Sequence, residues 1–185
     1  MWIITGPAGC GKSTVAQYLA QELSIPYLEG DDYHSESNKQ KMSQGQALTD
    51  QDRWDWLIQL REAATNRLSP SKSSRTKVHD GVVVTCSALK RRYRDVIRVA
   101  AYHDNDVMVH FIFLKADENI LLARVLGRKG HFMKSTMVRS QMELLEEPDM
   151  QEHRKDVLEV DCGGSLTEVR KEVVKTVRVA LADDQ

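Results

Sequence analysis

The 185-residue chain suits one domain, residues 1–185, with 41% hydrophobic residues for a sizeable core and 29% charged residues for a soluble surface. Its 26 Lys and Arg nearly balance 27 Asp and Glu, and the net charge of −1 argues against a general nucleic-acid binder. No apolar run is long enough to span a bilayer, no signal peptide is seen, and Cys10, Cys86 and Cys162 show no metal spacing; the expectation is a cytoplasmic protein with reduced thiols and neither membrane nor nucleic acid as partner.

Along the chain, strand-like and helix-like segments alternate. "MWIIT" is a short apolar run with Ile3 and Ile4, a buried strand. Residues 13–23 place Val15, Leu19 and Leu23 at intervals of four, one face of a helix. "PYLEG" reads as a second strand. Residues 50–68 read as a helix with Thr49 at the N-cap, Asp52 three later, and Trp54, Leu57, Ile58 and Leu60 following. The polar, serine-rich 69–80 stretch is a flexible surface insertion. "GVVVTCS", apolar throughout, is a central strand. "LKRRYRDVIRVA" is helical, "VMVHFIFLKA" a fourth strand, 117–126 and 135–146 helices, and "DVLEVDC" a fifth strand. The last helix opens on a capping box, Ser165 and Glu168, with Val169, Val173, Val177 and Leu181 on one face. This alternation implies an α/β fold with a parallel sheet covered on both faces, whose ligands sit beyond the carboxyl ends of the strands.

The first such loop, "GPAGCGKS", matches G-x-x-x-x-G-K-[ST] through Gly6, Gly11, Lys12 and Ser13, between a predicted strand and a predicted helix. Glycines let the backbone turn tightly and aim its N–H groups at phosphate oxygens, and the helix that follows adds unpaired N–H groups and a positive dipole end. The cradle for a nucleotide is thus expected to comprise Gly6, Pro7, Ala8, Gly9, Cys10, Gly11, Lys12, Ser13 and Thr14. Lys12 reaches the β- and γ-phosphates, and the Ser13 hydroxyl is a ligand for Mg²⁺.

Other loops add one acid and several bases. In "EGDDYH", Asp31 can hold an acceptor hydroxyl, take its proton or orient Mg²⁺ through water; alternatively Asp31 and Asp32 cap the next helix. His34 is a second candidate contact, while Asp32 reads as structural or solvent-facing. Arg53 lies in the first turn of its helix, where a cation opposes the dipole, so an anionic ligand would justify it. Lys90 and Arg94 stand one turn apart, a spacing that can grip one anion, whereas Arg91 or Arg92 reads as solvated. In "RVLGRKGHF", Arg124 and Arg128 beside Gly127 and Gly130 suit a lid over 127–134 that closes on phosphates. His131 either contacts substrate or is incidental. The sum is a phosphotransferase whose acceptor is anionic. A nucleotide-dependent switch would need no second cluster of cations such as Lys90, Arg94, Arg124 and Arg128.

As an ordered set, "GPAGCGKST", "EGDDYHSESNKQKMSQGQALTDQDRWDWL", "VVTCSALKRRYRDVIR", "LARVLGRKGHFM" and "SQMELLEEP" resemble the gluconate kinases (gluconokinases) over nearly the whole chain. The resemblance implies ATP-dependent phosphorylation of D-gluconate to 6-phospho-D-gluconate, feeding the pentose phosphate route. It also implies the three-layer P-loop fold of nucleoside-monophosphate and shikimate kinases, with five parallel strands in the order 2-3-1-4-5, and commonly a homodimer. Gluconate would offer a carboxylate to Lys90, Arg94 or Arg53 and a terminal hydroxyl to Asp31. Within this reading Lys12, Asp31, Arg124 and Arg128 carry the chemistry, with His34, Arg53, Lys90, Arg94, Arg128 and His131 on the acceptor side. The 69–80 insertion departs from compact members and looks remote from the chemistry. The chain starts at its first strand, so nothing upstream is expected to contribute. A kinase for shikimate or a nucleoside monophosphate is the rival enzyme.

Overall fold

The structure, a computed structural model, describes residues 1–68, 81–103, 107–127 and 135–183. The expected insertion at 69–80 and the lid segment beyond Gly127 lie outside the described residues. Five strands, β1 (Trp2–Thr5), β2 (Tyr27–Leu28), β3 (Val83–Thr85), β4 (His110–Lys115) and β5 (Val157–Asp161), form one sheet in the order β2-β3-β1-β4-β5. Every pairing is parallel, with Trp2 opposite both Val83 and His110. Nine helices of the described residues flank it: α1 (Lys12–Leu23), α2 (Glu36–Ser43), α3 (Gln51–Leu68), α4 (Arg91–Arg98), α5 (Ala100–His103), α6 (Glu118–Leu126), α7 (Ser135–Leu144), α8 (Met150–Lys155) and α9 (Leu166–Asp183).

The strands are apolar throughout because both faces are covered, and successive side chains feed opposite cores. Trp2, Ile4, Val83, Ile112 and Leu114 pack with Val15 and Leu19 of α1, Leu121 of α6, Val138 of α7 and Val173 of α9. Ile3, Val84, Phe111 and Phe113 point the other way, onto Trp56, Leu57 and Leu60 of α3 and Tyr93 and Ile97 of α4.

The Ser165–Glu168 capping box forms as expected: Glu168 Oε2 accepts from Ser165 N–H at 2.8 Å and Glu168 N–H donates to Ser165 Oγ at 3.3 Å. Thr49 and Asp52 make the same reciprocal exchange ahead of α3. On α9, Val169, Val173 and Val177 are buried, but Leu181 is exposed, because the last turn runs past the core. On α3 the buried stripe includes Trp56, Leu57 and Leu60, while Ile58 faces outward. Helices α2 and α8 were not expected as elements. They are capped by Ser35 and Asp149, whose side chains accept from N–H groups of the first turn.

Candidate active site

Residues 6–13 carry the chain from β1 into α1, with Gly6, Gly9 and Gly11 at φ of 136°, 87° and 96°. A Cβ at Gly6 would stand 2.7 Å from the Leu114 carbonyl, so glycine serves both the turn and the close approach to β4. No side chain caps the start of α1, which leaves its first N–H groups available to an anion. Lys12 Nζ lies over the loop and donates to the Gly6 and Pro7 carbonyls at 2.9 and 3.0 Å.

The next loop delivers the acid. After β2 the backbone makes one 3₁₀ turn, Gly30–Tyr33. Gly30 N–H donates to Thr85 Oγ1 at 2.9 Å, and its carbonyl accepts from the Trp56 indole at 2.7 Å. A Cβ at Gly30 would lie 2.0 Å from the Thr85 carbonyl, so this turn sits as close to β3 as a bare backbone allows. Asp31 follows and lines a cleft of about 240 Å³ with Ala8, Lys12, His34, Arg53 and Trp56. Met42 and Ser43 of α2, Leu48, Ser87, and Met137 and Gln141 of α7 complete the lining.

The charge states follow from these surroundings. The protein around Asp31 desolvates it and pushes its carboxyl above the ordinary range; Glu29 and Asp32 add to this and Lys12 opposes it. Its side chain is 71% exposed in the open cleft, so solvent blunts that push until a ligand fills the site. His34 is buried and stacks on Trp56, ring centres 4.1 Å apart. Burial first, then the nearby Arg53 and Lys39, push it down to about 4, so it is neutral at pH 7. Arg53 is also buried, held by the Leu48 carbonyl at 3.2 Å. His34 Nδ1 and Arg53 Nε are both buried without a hydrogen-bond partner among the described residues. A buried polar atom left unpaired is costly, and both side chains line the cleft.

On the other side of the loop a second cavity of about 200 Å³ is lined by Gly9, Cys10, Gly11, Thr14, Arg124, Leu166 and Val169. Arg124 donates to the Gly164 carbonyl at 2.9 Å, fastening α6 to the loop after β5.

A family model described as an AAA domain matches residues 1–161. The chain is 39% identical over 177 residues to a probable gluconokinase of Schizosaccharomyces pombe, covering 96% of this chain and 87% of that one. A gluconokinase structure from Sinorhizobium meliloti 1021 matches with a TM-score of 0.81 at 36% identity, over 99% of this chain and 93% of that one. The chain belongs to the gluconokinase family. The shikimate kinase of Aquifex aeolicus, 19% identical with a TM-score of 0.56 over 96% of this chain, shares the fold.

Of the residues picked out from sequence, this member of the gluconokinase family brings Lys12, Asp31, His34 and Arg53 into one cleft. Asp31 and Asp32 do not cap α2; Ser35 does. Asp32 is exposed, as expected. Arg94 is a correction. It is 1% exposed, its Nε and Nη2 grip the Glu152 carboxylate at 2.8 and 2.7 Å, and its Nη1 donates to the Ala88 and Glu146 carbonyls. With four of its five N–H groups used inside the protein, it has no face for an acceptor. Lys90 is corrected too: Nζ donates to Asp50 at 3.0 Å, where Arg92 and the Tyr93 hydroxyl also converge, and it does not line the cleft. Arg128 and His131 lie outside the described residues.

Glu29 is not among the residues expected at the site, yet it sits at the heart of a hydroxyl cluster. Thr85 and Tyr27 hydroxyls donate to its two oxygens, and Ser13 bonds it as well. Burial alone would raise this carboxyl; the three hydroxyls and Lys12 prevail and hold it below the ordinary range. The available signal was its place, two residues before Asp31 at the end of a short strand. Gln141 lies in the family-like stretch "SQMELLEEP", but nothing in that stretch singles out the glutamine.

Proposed function

We propose that the chain transfers the γ-phosphoryl group of ATP to the terminal hydroxyl of D-gluconate, giving 6-phospho-D-gluconate. The observation that carries this is the cleft, which brings Lys12 and Asp31 together with His34 and Arg53. At about 240 Å³ it lies below the ~300–1,000 Å³ typical of drug-sized ligands and suits a small polyhydroxy acid better than a nucleotide acceptor. Arg53 meets the carboxylate; neutral His34 meets a hydroxyl and leaves the charge balance to Arg53. The second cavity, beside Arg124 and the loop after β5, takes the nucleoside end of ATP.

In this reading the phosphate loop binds the β- and γ-phosphates, and Lys12 exchanges its two carbonyl partners for phosphate oxygens. Asp31 aims the hydroxyl in line and accepts its proton late, as a loose transition state requires. Filling the cleft removes water from Asp31 and strengthens the upward push on its carboxyl, bringing it closer to the basicity a general base needs. Bound Mg²⁺ supplies charge neutralisation between the phosphates. The residues fit it: the Ser13 hydroxyl as a direct ligand and ionised Glu29 beside it through water. Among the described residues there is no cluster of three acidic, His or Cys side chains that could hold an ion alone, which suits an ion held largely by phosphates. The family resemblance supports a homodimer in the cytoplasm feeding the pentose phosphate route.

A coupled ADP-release assay with ATP and a panel of sugar acids, shikimate and AMP tests the reading. Gluconate-dependent ADP release is expected. Release with shikimate or AMP instead, or ATP binding with no acceptor-stimulated release, would overturn it.

A further inference from the structure

The Gln141 carboxamide stands where the phosphate loop meets the acceptor cleft. Its Oε1 accepts from the Ala8 N–H at 2.7 Å, and the same side chain lines the cleft with Lys12, Asp31, His34 and Arg53. A main-chain N–H only donates, so this bond fixes the orientation of the amide: the oxygen faces the loop and the NH₂ group is left over. Among the described residues that NH₂ has no protein acceptor.

The arm that carries Gln141 is anchored on both sides. Val138, one turn earlier, is fully buried, and Met142 packs on the same core. Beyond the C-terminal end of α7, Glu146 N–H donates to the Leu89 carbonyl at 2.8 Å. Its carbonyl accepts from Arg94 at 3.1 Å, and its carboxylate accepts from Arg91 N–H at 2.9 Å. Ala88, the other Arg94 partner, holds φ at 37°, an unusual conformation for a residue with a side chain. The helix and the loop after β3 are thus one strapped unit, and Gln141 is held at a set place between the loop that carries phosphate and the wall that receives the acceptor.

We propose that Gln141 is a specificity-determining residue for the acceptor: its NH₂ donates to an acceptor hydroxyl near the reacting one, while its oxygen, fastened to Ala8, registers that acceptor against the phosphate loop. The chemistry of the cleft calls for a neutral donor at this point. Lys12 and Arg53 already answer the anionic groups, and Asp31 is the acceptor for the reacting hydroxyl. A third cation would bind phosphate non-productively, and a carboxylate would repel both the phosphoryl group and the acid. A carboxamide adds a hydrogen bond to a polyol without disturbing that balance.

The inference rests on gluconate being the acceptor, which turnover by the unaltered enzyme tests first. Given that turnover, two variants test Gln141. Gln141→Glu keeps the length and an oxygen for Ala8 but removes the donor and adds charge. Gln141→Met keeps the length and loses both polar ends. Steady-state kinetics should show the gluconate KM raised about 3–10-fold in Gln141→Met, the range for one lost neutral hydrogen bond, and more in Gln141→Glu, with the ATP KM changed less than twofold. Monodeoxygluconates give a second readout. One of them should lose about 3–10-fold in kcat/KM with the unaltered enzyme and nothing further with Gln141→Met, because the bond is already gone. Equal increases in both KM values, an unchanged gluconate KM, or additive losses with every deoxy compound would each overturn the proposal. If either variant folds poorly, the deoxy series on the unaltered enzyme and on Gln141→Asn still decides it: if Gln141→Asn, whose shorter arm cannot reach both Ala8 and the acceptor, keeps every deoxy sensitivity of the unaltered enzyme, the proposal is refuted.

Discussion

Substituting Gly30 by alanine tests the geometry that delivers Asp31. The added Cβ would sit 2.0 Å from the Thr85 carbonyl, and real Cβ atoms do not come within 3.0 Å, so the turn must retreat by about 1 Å. That retreat stretches both Gly30 hydrogen bonds, now 2.9 Å to Thr85 Oγ1 and 2.7 Å from Trp56, out of range. Each is worth about 1 kcal/mol net, and leaving the buried indole N–H without its acceptor costs about 1–3 kcal/mol. The expected loss is about 2–4 kcal/mol, which for a chain of this size lowers Tm by about 5–15 °C. Asp31 is the next residue, and a displacement of about 1 Å in a positioned catalytic group costs about 10²-fold in rate. Coupled ADP release should therefore show kcat for gluconate down about 10²-fold, with the ATP KM nearly unchanged because the phosphate loop rests on the opposite core. A Gly30→Ala protein with unaltered kcat and Tm would refute both the packing argument and the role of the turn.

Three further outcomes are expected. Asp31→Asn keeps size but loses basicity; since Ser35 caps α2, the substitution should leave Tm in place while kcat falls about 10²-fold or more, and an active variant would remove Asp31 from the chemistry. Arg94→Met strips one partner from buried Glu152, whose carboxyl Arg94 and Arg98 hold down at about 2 against the upward pull of burial, and Arg98 alone remains to it. A loss of about 3 kcal/mol, or about 6–12 °C in Tm, should appear with no preference for gluconate over ATP in KM; a selective rise in gluconate KM at unchanged Tm would return Arg94 to the acceptor. His34 has a folded pKa of about 4, below its ordinary value near 6.5, so its contribution is intact above about 6.5 and is lost as pH falls through 4. Thermal melts from pH 8 to pH 4 should show a loss on the order of 3 kcal/mol that His34→Gln lacks, and parallel curves would contradict the buried neutral imidazole.

The phosphate loop and its flanking elements were legible because two independent local signals coincide there: a glycine pattern that only a phosphate-binding turn requires, and apolar spacing that switches from strand to helix. The capping boxes at Thr49 and Ser165 were legible for the same reason, being complete within four residues. Helices α2 and α8 were not, since "ESNKQKMS" and "MQEHRK" hold almost no apolar residues and are fixed by caps and by partners elsewhere, such as the Asn38 side chain on the Asp52 carbonyl. Arg94 was misread because spacing reveals that two side chains share a helix flank but not where the flank points. Its partner Glu152 is 58 residues away, on one of the helices that periodicity does not reveal. Glu29 and Gln141 escaped because their meaning lies wholly in what the fold sets beside them, a hydroxyl cluster in one case and a loop amide in the other.

The two-sided sheet has a consequence for how such an enzyme changes over time. Ala8, Cys10, Val15 and Leu19, which back the phosphate loop, belong to one core; Leu28, Trp56, Ala88 and Tyr93, which back the turn of Asp31, the Arg53 helix and the loop after β3, belong to the other. Mutations that reshape the second half leave the first at its own packing, since sites in separate cores add nearly independently. A change of packing behind the acceptor wall is then expected to leave the packing behind the phosphate loop in place. Gln141 is the exception: its helix packs on the first core through Val138 and Met142 while its side chain lines the cleft, so a change there bears on both halves at once.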